Sequence, residues 1–211
     1  MRYPALTASR DKPRRRSLVF MKMVRIVAGF LLLSAGPAWA GKVEGACDFR
    51  FLGTSTLHDF SGKVRCLPFA GDLVTDETRS TDIPGMYVEV PVDEMETGNK
   101  DRDRQMRDMF GSDRFPRIHG TVRNVDVDAV RKAEAKEGKA VLDLSLRIRD
   151  IERRIPVTVT NLREEGDHVR FDVEFSVSLA DFGLKAPSVL FIIRVGDKVI
   201  VKGNVELKIS S

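Results

Sequence analysis

Aromatic, cysteine and histidine side chains are scarce in this chain. Beyond residue 40 there is no tryptophan and one tyrosine, Tyr87, and the whole chain holds two cysteines and three histidines. The missing aromatics argue against a membrane-spanning barrel, whose strands carry aromatic girdles at both interfaces. His58, His119 and His168 fall in a turn, a strand and a loop, and no two have the i, i+4 spacing of a helical metal pair. Cys47 and Cys66 have no histidine pair beside them at zinc-ligand spacing. Around Asp101 and Asp103 the glycine and distal glutamate of a calcium loop are missing, and Arg102, Arg104 and Arg107 intervene. There is no internal repeat, no glycine-rich phosphate cradle and no nucleophile elbow around Ser55 or Ser61. His58-Asp59 has the composition of an acid–base dyad, and a turn histidine bonded to its neighbour explains it more simply. No catalytic residue and no metal site is therefore expected.

Positive charge is also scarce once the chain is divided. The formal net charge is +4, but residues 1–40 contribute six arginines, two lysines and one aspartate, a net of +7, which leaves −3 for residues 41–211. A mildly acidic domain lacks the electrostatic footprint that binds a phosphate backbone, so nucleic acid is not an expected partner. The first forty residues have the layout of a secretory signal. Arg14-Arg15-Arg16, Lys22 and Arg25 are basic, Ile26 to Leu33 is a short apolar run, and Ala38-Trp39-Ala40 is a small-x-small cleavage site before Gly41. The run is shorter than a membrane span requires. Met21 to Ala40 suffices as a signal, although Arg15-Arg16-Ser17-Leu18-Val19 resembles a twin-arginine motif. The expected organisation is a signal peptide at 1–40 and one domain at 41–211 in the periplasm. An oxidising compartment favours a disulfide between Cys47 and Cys66.

What the domain does have is strict alternation. Every odd position from Val169 to Leu179 is apolar and every even one polar. Strand side chains point to opposite faces in turn, so this is one dry face and one wet face. Leu142, Leu144, Leu146 and Ile148 repeat the pattern, as do Val199, Val201, Val205, Leu207 and Ile209. Shorter versions run over 86–92, 118–127 and 155–160, and two more strands are expected near 47–52 and 60–67. Turns are expected at Gly53, Ser61-Gly62, Gly71-Asp72, Pro84-Gly85, Gly166-Asp167 and Gly196-Asp197. Arg170, Asp172, Glu174, Lys202, Glu206 and Lys208 occupy the wet faces, so the dry faces point inward. About eight antiparallel strands result; a sandwich and a closed barrel both satisfy the pattern, and a barrel also removes the exposed edges. The segment Asn99 to Gly111 breaks the period as a short helix. Asn99 is its cap, Gly111 its stop, and Met106, Met109 and Phe110 share one face. Its surface should carry i, i+4 pairs between Asp103 and Arg107 and between Arg104 and Asp108. Residues 129–139, rich in lysine, glutamate and alanine, are expected to form a solvated hairpin loop or a single helical turn.

Met86 to Ile118 resembles the central signature of the YceI-like polyisoprenoid-binding family. The signature is a strand, a Thr-x-Asn turn, an Arg-Asp helix ending in Phe, and an aromatic-Pro step into the next strand. Thr97, Asn99, Arg102, Asp103, Phe110, Phe115 and Pro116 occupy its positions. His58-Asp59-Phe60-Ser61-Gly62 resembles the opening of that family, Leu144 to Val159 its hairpin, and Ser178 to Leu184 its Asp-Phe-Gly element. The Cys47/Cys66 pair is not a general feature of it. The resemblance implies an all-β, eight-stranded antiparallel, lipocalin-like barrel with one short helix. It also implies binding of a long isoprenoid lipid, such as a polyprenol or a quinone tail, for transport or storage and without catalysis. No cofactor is implied unless a quinone is itself the ligand. Passing contact with a membrane is expected, and the oligomeric state is open, a homodimer included.

The expected lining is Val88, Val90, Leu144, Leu146, Val157, Phe171, Val173, Phe175 and Val205. Met106, Met109 and Phe110 would cover one side, and Phe182, Leu184 and Phe191 the mouth. The alternation by itself fits a packed core equally well. The competing expectation is thus an exported structural or interaction barrel, accessory to envelope stress or membrane electron transfer.

Overall fold

The structure, a computed structural model, describes residues 39–56, 59–75, 81–185 and 195–210, with backbone only at 39, 40 and 195. His58 and Phe191, and all but the last residues of the expected signal segment, lie outside it. Among the described residues there are nine strands: β1 Trp39–Ser55, β2 Phe60–Arg65, β3 Phe69–Thr75, β4 Thr81–Pro91, β5 Arg117–Asp126, β6 Ala140–Ile148, β7 Ile151–Glu165, β8 His168–Ser178 and β9 Val195–Ser210. Two helices interrupt them, α1 Lys100–Phe110 and α2 Val127–Glu137.

Neighbouring strands pair antiparallel, and β9 closes on β1 from Lys42 opposite Ser210 to Ser55 opposite Val195. β2 and β3 share one edge of β1, pairing with Asp48–Gly53 and Trp39–Gly45 respectively. The two behave as one stave with a break at Cys66-Leu67-Pro68. The barrel is therefore closed and eight-staved, as the family resemblance implied, and the sandwich that the alternation equally allowed is not formed. Because successive strands reverse direction, α1 lies at one end, with the β6–β7 turn. α2 lies at the other, with the β7–β8 turn.

Most of the glycines expected to punctuate strands lie inside them. Gly53 is in β1, Gly62 in β2, Gly71 in β3, Pro84-Gly85 in β4 and Gly196 in β9; of the six expected turns only Gly166-Asp167 is one. The reason is cross-strand packing. Gly45, Gly53, Gly62 and Gly203 stand opposite Phe69, Phe60, Phe51 and Phe49 on the neighbouring strand. In each pair the phenylalanine ring occupies the space that a glycine Cβ would need. β3 differs from expectation as well: Gly71 and Asp72 read as a break in what is a seven-residue strand, where Gly71 faces the Gly85 backbone of β4.

Cys47 and Cys66 form a disulfide with a Cα–Cα distance of 5.4 Å. Cys66 follows directly on the end of β2, beside Cys47 of β1, and its amide donates to the Cys47 carbonyl at 2.9 Å. Both side chains are buried.

α1 forms where expected. The Asn99 side chain accepts from the amides of Asp101 and Arg102 at 3.0 Å, and Gly111 ends the helix at φ 65°. Its surface pairs differ from expectation. Asp103 accepts from the Thr97 amide at 2.8 Å and the Thr97 hydroxyl at 2.5 Å, and Arg104 pairs with Asp101 at 2.8 Å. The turn before the helix thus claims the carboxylate that Arg107 was expected to hold.

α2 corrects the expectation of a loop or one turn: it is an eleven-residue helix. Asp126 caps it by accepting from the Ala129 amide at 2.8 Å, and Gly138 stops it at φ 70°. Val127, Val130 and Ala133, three residues apart, pack against the barrel clusters. That narrow apolar face was hidden among the charges.

Candidate functional site

The inward faces of the staves enclose a cavity of about 690 Å³. A pocket for a small ligand typically measures about 300–1,000 Å³. The wall is apolar along its length and polar at its ends. Ser55, Thr97, Asn99, Asp101, Arg102 and Gln105 stand at the α1 end, and Thr81, Arg131 and Glu164 at the α2 end. Between them lie aliphatic, methionine and phenylalanine side chains, with Gly120 and Cys47.

Twelve of the expected lining residues are on this wall: Val88, Val90, Met106, Met109, Phe110, Leu144, Leu146, Val157, Phe171, Val173, Phe175 and Val205. Two are not. Phe182 and Leu184, expected at the mouth, are 1% and 4% exposed and pack with Ile148 and Leu179 in the core. A 3₁₀ turn at Ala180–Phe182, ended by Gly183 at φ 64°, tucks both inside. Phe191 lies outside the described residues.

The sequence reading also missed part of the wall. Val43, Cys47, Phe49 and Phe51 of β1 all face the cavity. They follow the same odd-number alternation as Gly45 and Gly53, and those glycines masked it.

At the α2 end a bulge changes which residues point inward. The register shifts between Thr160 and Arg163, and Asn161 takes φ 55°, a left-handed conformation that asparagine tolerates better than most residues. Val157 and Val159 line the cavity before the bulge, and Leu162 and Glu164 after it. Glu164 meets Arg131 of α2 at 2.6 Å, and Arg131 also reaches Asp128 at 3.2 Å. The bond to Glu164 is the main cause that raises the Arg131 pKa above its ordinary value, so the guanidinium stays charged there.

Groups with titration chemistry gather instead on the outer surface of β4 and β5. Tyr87 stacks on His119 with ring centroids 5.5 Å apart, and its hydroxyl meets His119 Nδ1. Glu89 accepts from Arg117 at 2.5 Å. Burial, aided by the Arg147 charge, lowers the His119 pKa, and burial with Glu89 raises that of Tyr87. Among the described residues no group of three or more His, Cys, Asp or Glu side chains could hold a metal. Asp59 of the candidate dyad is described, but its partner His58 is not.

The YceI-like domain family matches the chain over residues 45–207. No curated relative matches. Among solved structures, Burkholderia cenocepacia BcnA superposes with a TM-score of 0.57 at 15% identity, covering 76% of this chain and 95% of its own. A Saccharophagus degradans domain described as polyisoprenoid-binding, and implicated in plant cell wall breakdown, gives 0.54 at 13% identity, covering 78% and 97%. At such identities these two likenesses establish a shared fold.

Proposed function

The chain belongs to the YceI-like family, and from that premise we propose that it binds one long isoprenoid lipid, a polyprenol or a quinone tail, inside the barrel. The observation that carries this reading is the continuous apolar cavity of about 690 Å³. A core of interlocked side chains, the competing arrangement, would leave no such space. Each isoprene unit moved out of water gains very roughly 3–4 kcal/mol gross by methylene counting. Ordering a flexible chain takes back a large share of that gain. A wall of smooth aliphatics and adaptable methionines suits such a ligand, and polar groups at the two ends suit a head group or solvent.

The role is carriage or storage in the periplasm, with passing contact at a membrane. Two features support the location: the signal-like residues 1–40 and the Cys47–Cys66 disulfide, which persists in an oxidising compartment. We take the role to be binding without catalysis; in support, among the described residues the wall between its polar ends is lined by apolar side chains. The titratable cluster around Tyr87 and His119 is on the opposite side of the sheet.

Native mass spectrometry of the protein purified from its own envelope tests the reading. A co-purified apolar mass of polyprenyl type, removed by organic extraction, is expected. Protein that emerges without a bound mass, and takes up none of the prenols offered to it, overturns it.

A further inference from the structure

Phe49 occupies a singular place in the barrel. Among the described residues the buried apolar side chains divide into three clusters, and Phe49 is the one partly buried side chain there that packs against all three. It therefore stands at the junction between the part of the cavity toward α1 and the part toward α2. Over β9, on the same wall of the barrel, its ring meets Phe175 of β8 edge-on, with centroids 6.5 Å apart. A chain that runs the length of the barrel has to pass this pair.

The position of the ring depends on Gly203. Phe49 and Gly203 are directly opposed on β1 and β9. A Cβ at Gly203 would lie 2.5 Å from Phe49 Cδ1 and 2.6 Å from Cε1, closer than Cβ atoms approach other atoms. The backbone does not require glycine there, because Gly203 is absent from the glycines with positive φ, which are Gly98, Gly111, Gly138, Gly166 and Gly183. The missing side chain serves the ring, which lies flat against the wall where a methyl group would otherwise be.

We propose that Phe49 and Gly203 form the waist of the cavity and decide which chains can thread it. With the ring resting on Gly203 and against Phe175, the pair lies along the wall and a long flexible chain passes over it. With a methyl group at position 203, the ring is lifted off the wall into the bore and the passage closes. A short prenol fits on one side of the waist and does not sense it. The proposal rests on the lipid-binding reading above and adds the residues that set chain-length selectivity.

The test compares solanesol, a long all-trans polyprenol, with farnesol, a short one, both presented to extracted protein from detergent micelles. Gly203→Ala should weaken solanesol binding by about tenfold or more and leave farnesol within about twofold. Phe49→Ala in the Gly203→Ala background should restore solanesol, because the displaced ring is gone. General loss of packing would not be rescued by deleting a second side chain. Thermal melting confirms that each variant is folded. If Gly203→Ala does not fold, Phe49→Ala carries the test alone, and solanesol release should quicken severalfold, by more than farnesol release does. A folded Gly203→Ala that binds solanesol as the parent does, a loss that Phe49→Ala fails to rescue, or a Phe49→Ala that releases both prenols at the parental rate overturns the waist. A parent protein that binds neither prenol overturns the lipid-binding reading itself, so the two failures are distinguishable.

Discussion

Cys47 and Cys66 show how one residue pair can be legible from its surroundings. The expected compartment and the lack of metal partners pointed to a bond, and the hydrogen bond that carries the β1–β2 pairing one step past Arg65 sets the two side by side. Closing a loop of about twenty residues limits the unfolded chain and is worth roughly 3 kcal/mol. For a domain of this size that corresponds to a fall in melting temperature of roughly 6–12 °C when the bond is removed. The Cys47→Ser/Cys66→Ser double variant, followed by circular dichroism against temperature, should melt lower by that amount while keeping its β-sheet spectrum at 20 °C. Equal melting of parent and variant would mean that the strand pairing alone fixes this stave. Phe49 was illegible for a related reason. Its importance lies in the glycine opposite, about 150 residues away in the chain, and alternation reports which face a residue is on but not which residue it meets.

Elements with a strong period were readable and elements with a weak one were not. β8 repeats apolar and polar positions without a break, and α1 carries its own start and stop signals in Asn99 and Gly111. α2 has only Val127, Val130 and Ala133 on its inner face, and no residue of it is fully buried. Its hold on the barrel is largely polar. Besides the Arg131–Glu164 pair, the Leu162 amide donates to Glu134 at 3.3 Å and the Thr81 amide to Asp128 at 3.1 Å. Arg131 and Glu164 are about 40% exposed, so water weakens their pairing. An element held this way opens locally at a lower cost than the sheet beneath it. Amide hydrogen exchange should therefore run faster in α2 than in β8. Asp126→Ala, which removes the cap at a cost of about 1 kcal/mol, should speed α2 exchange about fivefold and leave β8 unaffected. Protection of α2 equal to that of β8 would show instead that the helix unfolds only with the whole barrel.

At the scale of the whole molecule, a closed sheet lined with apolar side chains has two ways to satisfy them. It can interlock them, or it can hold them apart around a ligand. The sequence separates dry faces from wet ones but does not fix how far apart the dry faces stand, so the cavity was the least legible feature of the fold. Glycines opposite phenylalanines let large side chains lie along the wall, and the long staves keep both ends of the barrel open to polar groups. A barrel built in this way depends energetically on its contents. A ligand that binds the folded state alone stabilises it by RT ln(1 + [L]/Kd), about 2.7 kcal/mol when the free concentration is a hundred times Kd. For a domain of this size each kcal/mol shifts the melting temperature by about 2–4 °C. Organic extraction should therefore lower the melting temperature by roughly 5–10 °C, and returning solanesol should restore it in proportion to the logarithm of its concentration. The Val173→Trp variant sharpens the test. Val173 lies directly opposite Gly203 and lines the cavity, so an indole there projects into the waist. That variant should keep the melting temperature of the extracted protein whether or not solanesol is added. If parent and Val173→Trp gain the same stability from solanesol, the lipid acts on the outer surface and the interior is not where it is held.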